Sequence, residues 1–295
     1  MGIGDKMKAA ILTDTNSGIN EIEAEELGIY VIPMPVLIEQ ETFFEGRDLT
    51  NDKLCSILES GAKVSTSQPA LGEVIDKWEE LLKQGYDEIV YIPMSSGLSS
   101  SCSCAKAAAE DYEGKVYVVD NHRISVTQKA SVLKAKKMAD DGIKASEIAE
   151  YLENDKYNSS IYVSVDKLDY LKRGGRITPA VAAIASILKI KPVLSIQGEK
   201  LDSYAKVRGN MYRCEMKMLD AMKMDIETRF SQPNVALLHI GVAGFGITEE
   251  QADKWLEMTK EAFPDADVHY DGLPASIGTH TGPGTVGIGL SVDYK

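Results

Sequence analysis

Residues 88–110 read EIVYIPMSSGLSSSCSCAKAAAE, and this stretch changes character twice. The run at 88–93, rich in β-branched and aromatic residues, is typical of a buried strand. A turn rich in serine and glycine follows, and the alanine-rich segment at 101–112 is typical of a helix. A strand that leads into a helix in this way usually belongs to a parallel sheet covered by helices, so the stretch predicts an α/β fold.

The same alternation runs through the first half of the chain. The other predicted elements there are strands at 9–13, 29–38 and 115–119 and helices at 20–27, 51–58, 70–84 and 126–140. We therefore expect an N-terminal α/β domain at residues 1–158, with a mostly parallel, Rossmann-like sheet flanked by helices.

The pattern changes after about residue 155. A hairpin is predicted at 192–208, turning at the QGEK of 197–200, and a hairpin implies antiparallel neighbours. Further strands are predicted at 161–165, 235–242 and 267–270, and helices at 210–229 and 249–263. We expect a C-terminal α+β domain at residues 159–295 with an antiparallel or mixed sheet. Since no flexible linker separates the domains, a ligand is expected between them.

Composition narrows the function. The chain has 295 residues, 44% of them hydrophobic, and a formal net charge of −13. Such a charge repels phosphate backbones and anionic lipids, which disfavours nucleic acid partners and stable membrane insertion. The four cysteines form no paired framework and no metal-ligand pattern, and the start of the chain lacks a secretion signal. We expect a cytoplasmic protein without a metal.

Two hydroxyl-rich loops precede predicted helices. One is KVSTSQPAL at 63–71, and the other is the serine turn of the opening stretch, where five serines lie within 95–101. Helix caps explain hydroxyls at such positions. The carboxyl ends of parallel strands and the N-termini of helices also attract anions, so a ligand site is the second interpretation.

His280 lies in a third loop, THTGPGTVGIG at 279–289. Residues 282–287 match the dinucleotide pattern G-x-G-x-x-G, but too few residues follow for the helix that this fingerprint requires, so the match is interpreted as accidental. A histidine among glycines is either structural or placed to face a ligand, and these glycines are expected to let the backbone approach that ligand closely.

An apolar segment, TPAVAAIASILKI at 178–190, is predicted to be a helix that begins at Thr178 and Pro179. Apolar residues occur on all its sides, so it is expected to be buried all round or to line an apolar cavity. Burying roughly 15 methylenes at ~0.8 kcal/mol each is worth about 12 kcal/mol gross, against about 0.3 to 1 kcal/mol for a charge at a helix N-terminus. An acyl tail would therefore supply most of the affinity, and its head group would set the position of the ligand along the cavity.

Eight stretches of the chain resemble motifs of the bacterial DegV family, in the order that the family has them. They are ILTDTNSGI (11–19), TSQPA (66–70), SSGLSS (95–100), VYVVDN (116–121), DYLKRGGRI (169–177), LKIKPVLSI (188–196), KVRG (206–209) and THTGPGTVGIG (279–289). The chain is thereby identified as a member of this family, whose proteins bind a fatty acid and present it to a separate fatty acid kinase.

The resemblance implies a long-chain fatty acid, such as palmitate, stearate or oleate, between the two domains, and no cofactor. By carry-over, Thr66 and Ser96, with Gly97, would hold the carboxylate, and Ser67, Ser95 and Ser99 are alternative hydroxyls. The family usually has Gly-Thr where residues 100–101 are both serine here, which bears on the shape of this loop.

The resemblance also implies partners. His280 would lie beside the head group, and Arg176 and Arg208 match basic positions near the opening where the kinase docks. These three residues would assist phosphoryl transfer by the kinase, so the chain would be a carrier and not itself an enzyme. It would shelter the acyl phosphate until an acyltransferase takes it, because exclusion of water protects a mixed anhydride.

Two alternatives remain open. One is an autonomous enzyme, either a hydrolase that uses Ser96 with His280 or a phosphotransferase that is phosphorylated on His280. The sequence has neither the G-x-S-x-G elbow nor the G-x-x-x-x-G-K-[ST] loop that such enzymes commonly carry. The other alternative is a binding module for a different small anion, such as a phosphometabolite.

Overall fold

The computed structural model describes residues 7–184, 190–232 and 235–294. Its strands are β1 (Ala9–Asp14), β2 (Tyr30–Ile32), β3 (Pro35–Ile38), β4 (Glu41–Phe44), β5 (Val64–Thr66), β6 (Glu88–Ile92), β7 (Val116–Val118), β8 (Ser159–Ser164), β9 (Ile190–Ile196), β10 (Asp202–Arg208), β11 (Val235–Phe245), β12 (Asp267–Gly272) and β13 (Thr285–Tyr294). Its helices are α1 (Glu21–Leu27), α2 (Asn51–Glu59), α3 (Leu71–Lys83), α4 (Ser101–Ala109), α5 (Val126–Asp140), α6 (Ala145–Asn154), α7 (Leu168–Gly174), α8 (Pro179–Ile184), α9 (Met211–Thr228), α10 (Glu249–Ala262) and α11 (Ala275–Thr281).

A four-stranded sheet of order β2-β1-β6-β7, with all its neighbours parallel, forms the centre of the N-terminal domain. Successive residues of a strand face opposite sides. Ile11 and Val90 therefore pack towards α5 and α6, whereas Leu12 and Tyr91 pack with Trp78 of α3. The expected parallel sheet covered by helices is confirmed.

The single strand predicted at 29–38 is wrong, because the chain changes sheets within it. β2 belongs to the parallel sheet, and β3 is the centre of a separate antiparallel sheet of order β4-β3-β5. Pro33 has no N–H for a ladder, and the N–H of Met34 donates to Thr15 Oγ1 over 3.0 Å. The pairing of β5 with β3 fixes the position of Thr66.

A six-stranded mixed sheet of order β10-β9-β8-β13-β11-β12 forms the C-terminal domain. β9 and β10 make the predicted antiparallel hairpin, and β11 and β12 are parallel. One face packs against α9 and α10 through a core that includes Met218, Met222 and Trp255. The other face contributes Ile161 and Val163 to a core shared with the N-terminal domain. The α/β class with two domains is confirmed.

Helix α5 lies between the domains. Its Gln128 Nε2 hydrogen-bonds Thr13 Oγ1 in β1 over 3.1 Å, and its Lys129 forms an ion pair with Asp271 of β12 over 3.0 Å. The boundary proposed at 158/159 coincides with the start of β8 at Ser159 and stays a prediction. Within the described ranges, no helix has both the length and the apolar character needed to cross a bilayer.

The apolar segment at 178–190 does not behave as expected. Helix α8 is described only as far as residue 184, residues 185–189 lie outside the described ranges, and residue 190 already begins β9. Val181 is buried, but Ala180 and Ala183 are exposed, so burial all round is wrong for the described part of this helix. The alternative, a helix that lines an apolar cavity, stays a prediction. The high helix propensity of alanine accounts for these exposed positions without burial.

Candidate ligand-binding site

A cavity of about 310 Å³ lies between the two domains. This volume is at the lower end of the roughly 300–1,000 Å³ of small-molecule sites. The N-terminal domain contributes apolar wall residues such as Met34, Met94 and Leu98, and the C-terminal domain contributes others such as Ile161, Ile196 and Leu201. A long apolar group fits such walls, because they offer it van der Waals contact and exclude water.

One part of the cavity wall is polar. Thr66, at the end of β5, lies there with Ser67 and Gln68, opposite His280 of α11. Thr66 Oγ1 and His280 Nε2 are 2.7 Å apart and form a hydrogen bond between groups 214 positions apart in the sequence. The structure thus brings together three residues that the sequence analysis singled out: Thr66, Ser67 and His280.

His280 is neutral at neutral pH. Burial and the nearby charge of Arg176 lower its pKa to about 4. Its ring packs against Gly174, where even a Cβ atom would collide with Nδ1. The neutral imidazole therefore offers one N–H donor and one acceptor, and the positive charge at this end of the cavity comes from Arg176.

Arg176 is held in place by two backbone carbonyls. Its Nε donates to Leu98 O over 3.3 Å and its Nη1 to Gly174 O over 2.5 Å. The turn that positions it needs Gly175, which ends α7 in the left-handed conformation at φ 69°. A fixed guanidinium beside neutral hydroxyls is suited to a carboxylate.

The serine turn contacts the other domain directly. Ser95 Oγ donates to Gly198 O in the β9–β10 turn over 2.5 Å, and the N–H of Gly97 donates to Ser95 Oγ over 3.2 Å. The N–H of Ser96 donates to Asp120 Oδ1 over 3.2 Å. The only proton of the Ser95 hydroxyl is used in the hydrogen bond to Gly198 O, so this hydroxyl has none left to donate to a carboxylate.

In the described part of the chain, Ser95, Ser96 and Gly97 are not among the residues that line the cavity, whereas the next turn is. Ser99 and Ser100 line it, and Ser100 Oγ donates to Gln68 Oε1 over 2.8 Å. Ser99 was one of the alternative hydroxyls, whereas the carry-over from the family pattern missed Ser100 as a cavity residue. The run of serines was the available signal, but it did not show which hydroxyls face inward.

Arg208 is exposed at the end of β10, and it is absent from the described cavity wall. Its carbonyl oxygen accepts a hydrogen bond from Arg213 Nη1 over 3.1 Å. The structure therefore places Arg176, but not Arg208, in the wall of the cavity with His280.

Glu45, which the sequence analysis missed, supports the helix that carries His280. The N–H of Ala275, the first residue of α11, donates to Glu45 Oε1 over 2.6 Å. Burial raises the pKa of Glu45 to about 7, although this hydrogen bond and one from Thr15 act in the opposite direction. Nothing local in the sequence marks this residue, because its partner lies 230 positions away.

Two of the glycines around His280 pack against protein side chains and do not face a ligand, whereas Gly287 lines the cavity, and for it the expectation stays a prediction. A Cβ atom on Gly278 would collide with the Phe245 ring, and one on Gly282, at φ 77°, would collide with the Tyr170 ring. The segment runs from α11 through a turn into β13. This order is the reverse of a dinucleotide loop and confirms that the glycine match is accidental.

The geometry offers little to an autonomous enzyme. His280 hydrogen-bonds Thr66, and in the described ranges neither a hydrogen bond to Ser96 nor an ion pair with a carboxylate orients its ring. A serine hydrolase needs both relations. Among the described residues, no group of three or more His, Cys, Asp or Glu is placed to hold a metal ion.

Comparisons with known proteins agree with this architecture. A family model described as an uncharacterised protein of the DegV family matches residues 8–293. A DegV domain-containing protein of Listeria innocua is 30% identical over 287 residues, which cover 97% of this chain and 99% of that protein.

Two solved structures share the fold over their full length. The structure of a DegV family protein from Thermus thermophilus, described by its fatty acid binding, matches with a TM-score of 0.87 and 25% identity, covering 97% of this chain and 100% of that one. DegV of Bacillus subtilis, described as a fatty acid binding protein, matches with a TM-score of 0.84 and 29% identity over the same shares. On this sequence match and this shared fold, the chain belongs to the DegV family.

Proposed function

We propose that this chain binds a long-chain fatty acid, with the tail in the interdomain cavity and the carboxylate at the polar end. The observation that carries the proposal is the Thr66–His280 hydrogen bond, which lies with Arg176 in the wall of an otherwise largely apolar cavity. Solved relatives described as fatty acid binding proteins support it.

The head group would be held by neutral donors and one cation. Thr66 supplies a hydroxyl, His280 supplies an N–H, and Arg176 supplies the charge. Ser67 lies beside them, and its hydroxyl would have to exchange its own bond to Gln68 O, over 2.7 Å, before it could donate to the carboxylate. Ser99 replaces Ser95 in this proposal, since the Ser95 hydroxyl is used by Gly198. Ser96 and Gly97 would act indirectly, by holding the turn that carries Ser99.

The tail would supply most of the affinity. Roughly 15 buried methylenes contribute about 12 kcal/mol gross at ~0.8 kcal/mol each, whereas a charge-assisted hydrogen bond contributes about 1.5 to 3 kcal/mol. A change at the head group is therefore expected to shift the position of the carboxylate more than it weakens total binding.

We further propose that a separate cytoplasmic fatty acid kinase uses the bound acid. The carboxylate oxygen would attack the γ-phosphorus of ATP, forming the acyl phosphate and releasing ADP. The kinase would dock near exposed Arg208, and the carrier would keep water from the anhydride until an acyltransferase accepts the acyl group. The resemblance to the family motifs supports this part of the proposal.

The test of lipid binding uses the purified chain. Denaturation of the chain is expected to release a fatty acid of about C14 to C18, which mass spectrometry then identifies. In the delipidated chain, Thr66→Val is expected to weaken palmitate binding by about tenfold, the effect of one lost hydrogen bond. The matched control is Thr42→Val, at an exposed position on β4. No released acid and no palmitate binding would contradict the proposal.

A further inference from the structure

A second, smaller cavity adjoins the first one at its polar end. Its volume is about 80 Å³, and it shares Thr66, Arg176 and His280 with the larger cavity. Ser65 and Arg173 are among the residues that line only the smaller cavity. The hydrogen-bonded pair of Thr66 and His280 thus forms part of the wall of both spaces.

Two arginines give this smaller cavity a positive charge, and no carboxylate is among the described residues that line it. Arg173 lies over the Tyr170 ring, with its guanidinium carbon 4.8 Å from the ring centroid. Among the described residues, neither Arg173 nor Arg176 forms an ion pair. The arginines that do form ion pairs there are Arg47, Arg123 and Arg229.

This imbalance is unusual in a chain of net charge −13. Asp169, one turn before Arg173 on α7, is placed for an i,i+4 pair, yet the two side chains form none. The charge of Arg176 also lowers the pKa of His280, and no acidic side chain acts in the opposite direction. The local field therefore favours an anion.

The size and the donors fit a compact anion. A volume of 80 Å³ is several times the roughly 10–15 Å³ that one water molecule needs. The planar fork of an arginine matches the oxygens of a phosphate geometrically. Two of the three nitrogens of Arg176 are already fixed by the carbonyls of Leu98 and Gly174, so its direction is set before any anion arrives.

We propose that the smaller cavity binds a tetrahedral oxyanion, a phosphoryl group, next to the carboxylate end of the acyl chain. The inference rests on the proposed function for one of two sources, the covalently attached phosphoryl group of an acyl phosphate. Free inorganic phosphate is the other source. Arg173, at the exposed rim, and Arg176, shared by both cavities, would hold the oxyanion from two directions.

The experiment compares two ligands with the same tail on the full chain. Dissociation constants are measured for palmitate and for hexadecyl phosphate, a stable compound with a tetrahedral head. Arg173→Met is expected to lower the preference for hexadecyl phosphate over palmitate by about tenfold, since it removes a charge-assisted contact. The neighbouring Lys172→Met is the matched control, because Lys172 is exposed and absent from the described walls of both cavities.

A second variant fills the space without changing charge. Ala62 lines only the smaller cavity, so Ala62→Leu is expected to reduce hexadecyl phosphate affinity more than palmitate affinity. Inorganic phosphate, titrated into the palmitate-loaded chain, separates the sources. If inorganic phosphate binds and Arg173→Met weakens that binding, the source is the free anion. If inorganic phosphate does not bind but Arg173→Met lowers the preference for hexadecyl phosphate, the source is the phosphoryl group of an acyl phosphate.

Two results would overturn the inference while leaving the proposed function intact. One is an unchanged preference in both Arg173→Met and Ala62→Leu, and the other is an equal loss in Lys172→Met. If the wild type binds neither lipid, the proposed function fails instead. In that case, binding of inorganic phosphate that Arg173→Met abolishes would still support an oxyanion site in the smaller cavity. If inorganic phosphate does not bind either, the inference is wrong.

Discussion

Replacing Gly97 with alanine tests the contact between the serine turn and the β9–β10 turn, which closes one side of the cavity. The new Cβ would lie 2.7 Å from Glu199 Cα and closer still to Gly198 O. Both are backbone atoms, which cannot rotate away as a flexible side chain would. The φ of Gly97 is not in the left-handed region, so any strain comes from this contact alone.

The cost follows from the geometry. Inserting a carbon into a packed contact typically costs about 1–3 kcal/mol, and two backbone neighbours put this site at the upper end. Moving the turns apart also breaks the bond from Ser95 to Gly198, worth about 1 kcal/mol. We expect a loss of about 3 to 4 kcal/mol, which leaves a protein of ordinary stability folded.

Palmitate affinity is expected to fall as well, because Leu98 and Leu201 line the cavity near the two turns. Exposing about two methylenes of the tail at ~0.8 kcal/mol each corresponds to roughly tenfold weaker binding.

Urea unfolding followed by tryptophan fluorescence measures the stability change. Trp78 and Trp255 are buried in different domains, so both domains contribute to the signal. The control is Gly72→Ala in α3, where a Cβ meets no atom within 4 Å and a gain of about 0.5–1 kcal/mol is expected. If Gly97→Ala matches this control in stability and affinity, the turns are not in contact and the argument for closure is refuted.

Three further predictions concern pH and are checked by thermal midpoints in a pH series. Because the pKa of His280 is lowered to about 4 from 6.5, stability falls as pH drops from about 6.5 towards 4, and His280→Gln is expected to flatten that decline. The pKa of Glu45 is raised from 4.5 to about 7, so its contribution to stability is fully present below pH 4.5 and is lost as pH rises to 7. Glu45→Gln is expected to flatten this decline in stability. Asp293 and Asp267 raise the pKa of His239, and its stabilisation is lost as pH rises through the folded value. His239→Gln is therefore expected to cost more at about pH 6 than at about pH 9.

The elements that were predictable from the sequence are those with a long run of helix-forming residues or a continuous run of strand-forming residues. The helix predicted at 126–140 is observed as α5 (Val126–Asp140), and the strand predicted at 88–93 is observed as β6 (Glu88–Ile92). The helix is long and the strand is strongly apolar, so their type can be predicted from local residues although both pack against β1, which is far away in the sequence. Local information is then sufficient.

The small sheet β4-β3-β5 could not be predicted in this way. β5 has only the residues Val64–Thr66, two of them hydroxyl-bearing, and no apolar alternation marks so short a strand. Its existence depends on β3, which the pattern joined to β2 as one continuous apolar run. The sheet matters for function, because it delivers Thr66 to His280.

The two hydroxyl loops show where local reasoning stops. Thr66 and Ser95 both lie in serine- and threonine-rich loops ahead of a helix, and each was a candidate ligand donor. The structure separates them by their partners: Thr66 Oγ1 meets the His280 ring at a cavity wall, whereas Ser95 Oγ donates to Gly198 O, 103 positions away in the other domain. A hydroxyl that already donates to a buried carbonyl holds the protein together, and one that shares a bond with a neutral imidazole can still exchange it for a carboxylate. Because the partner residue comes from the second domain, the role of each hydroxyl is set only when the two domains meet.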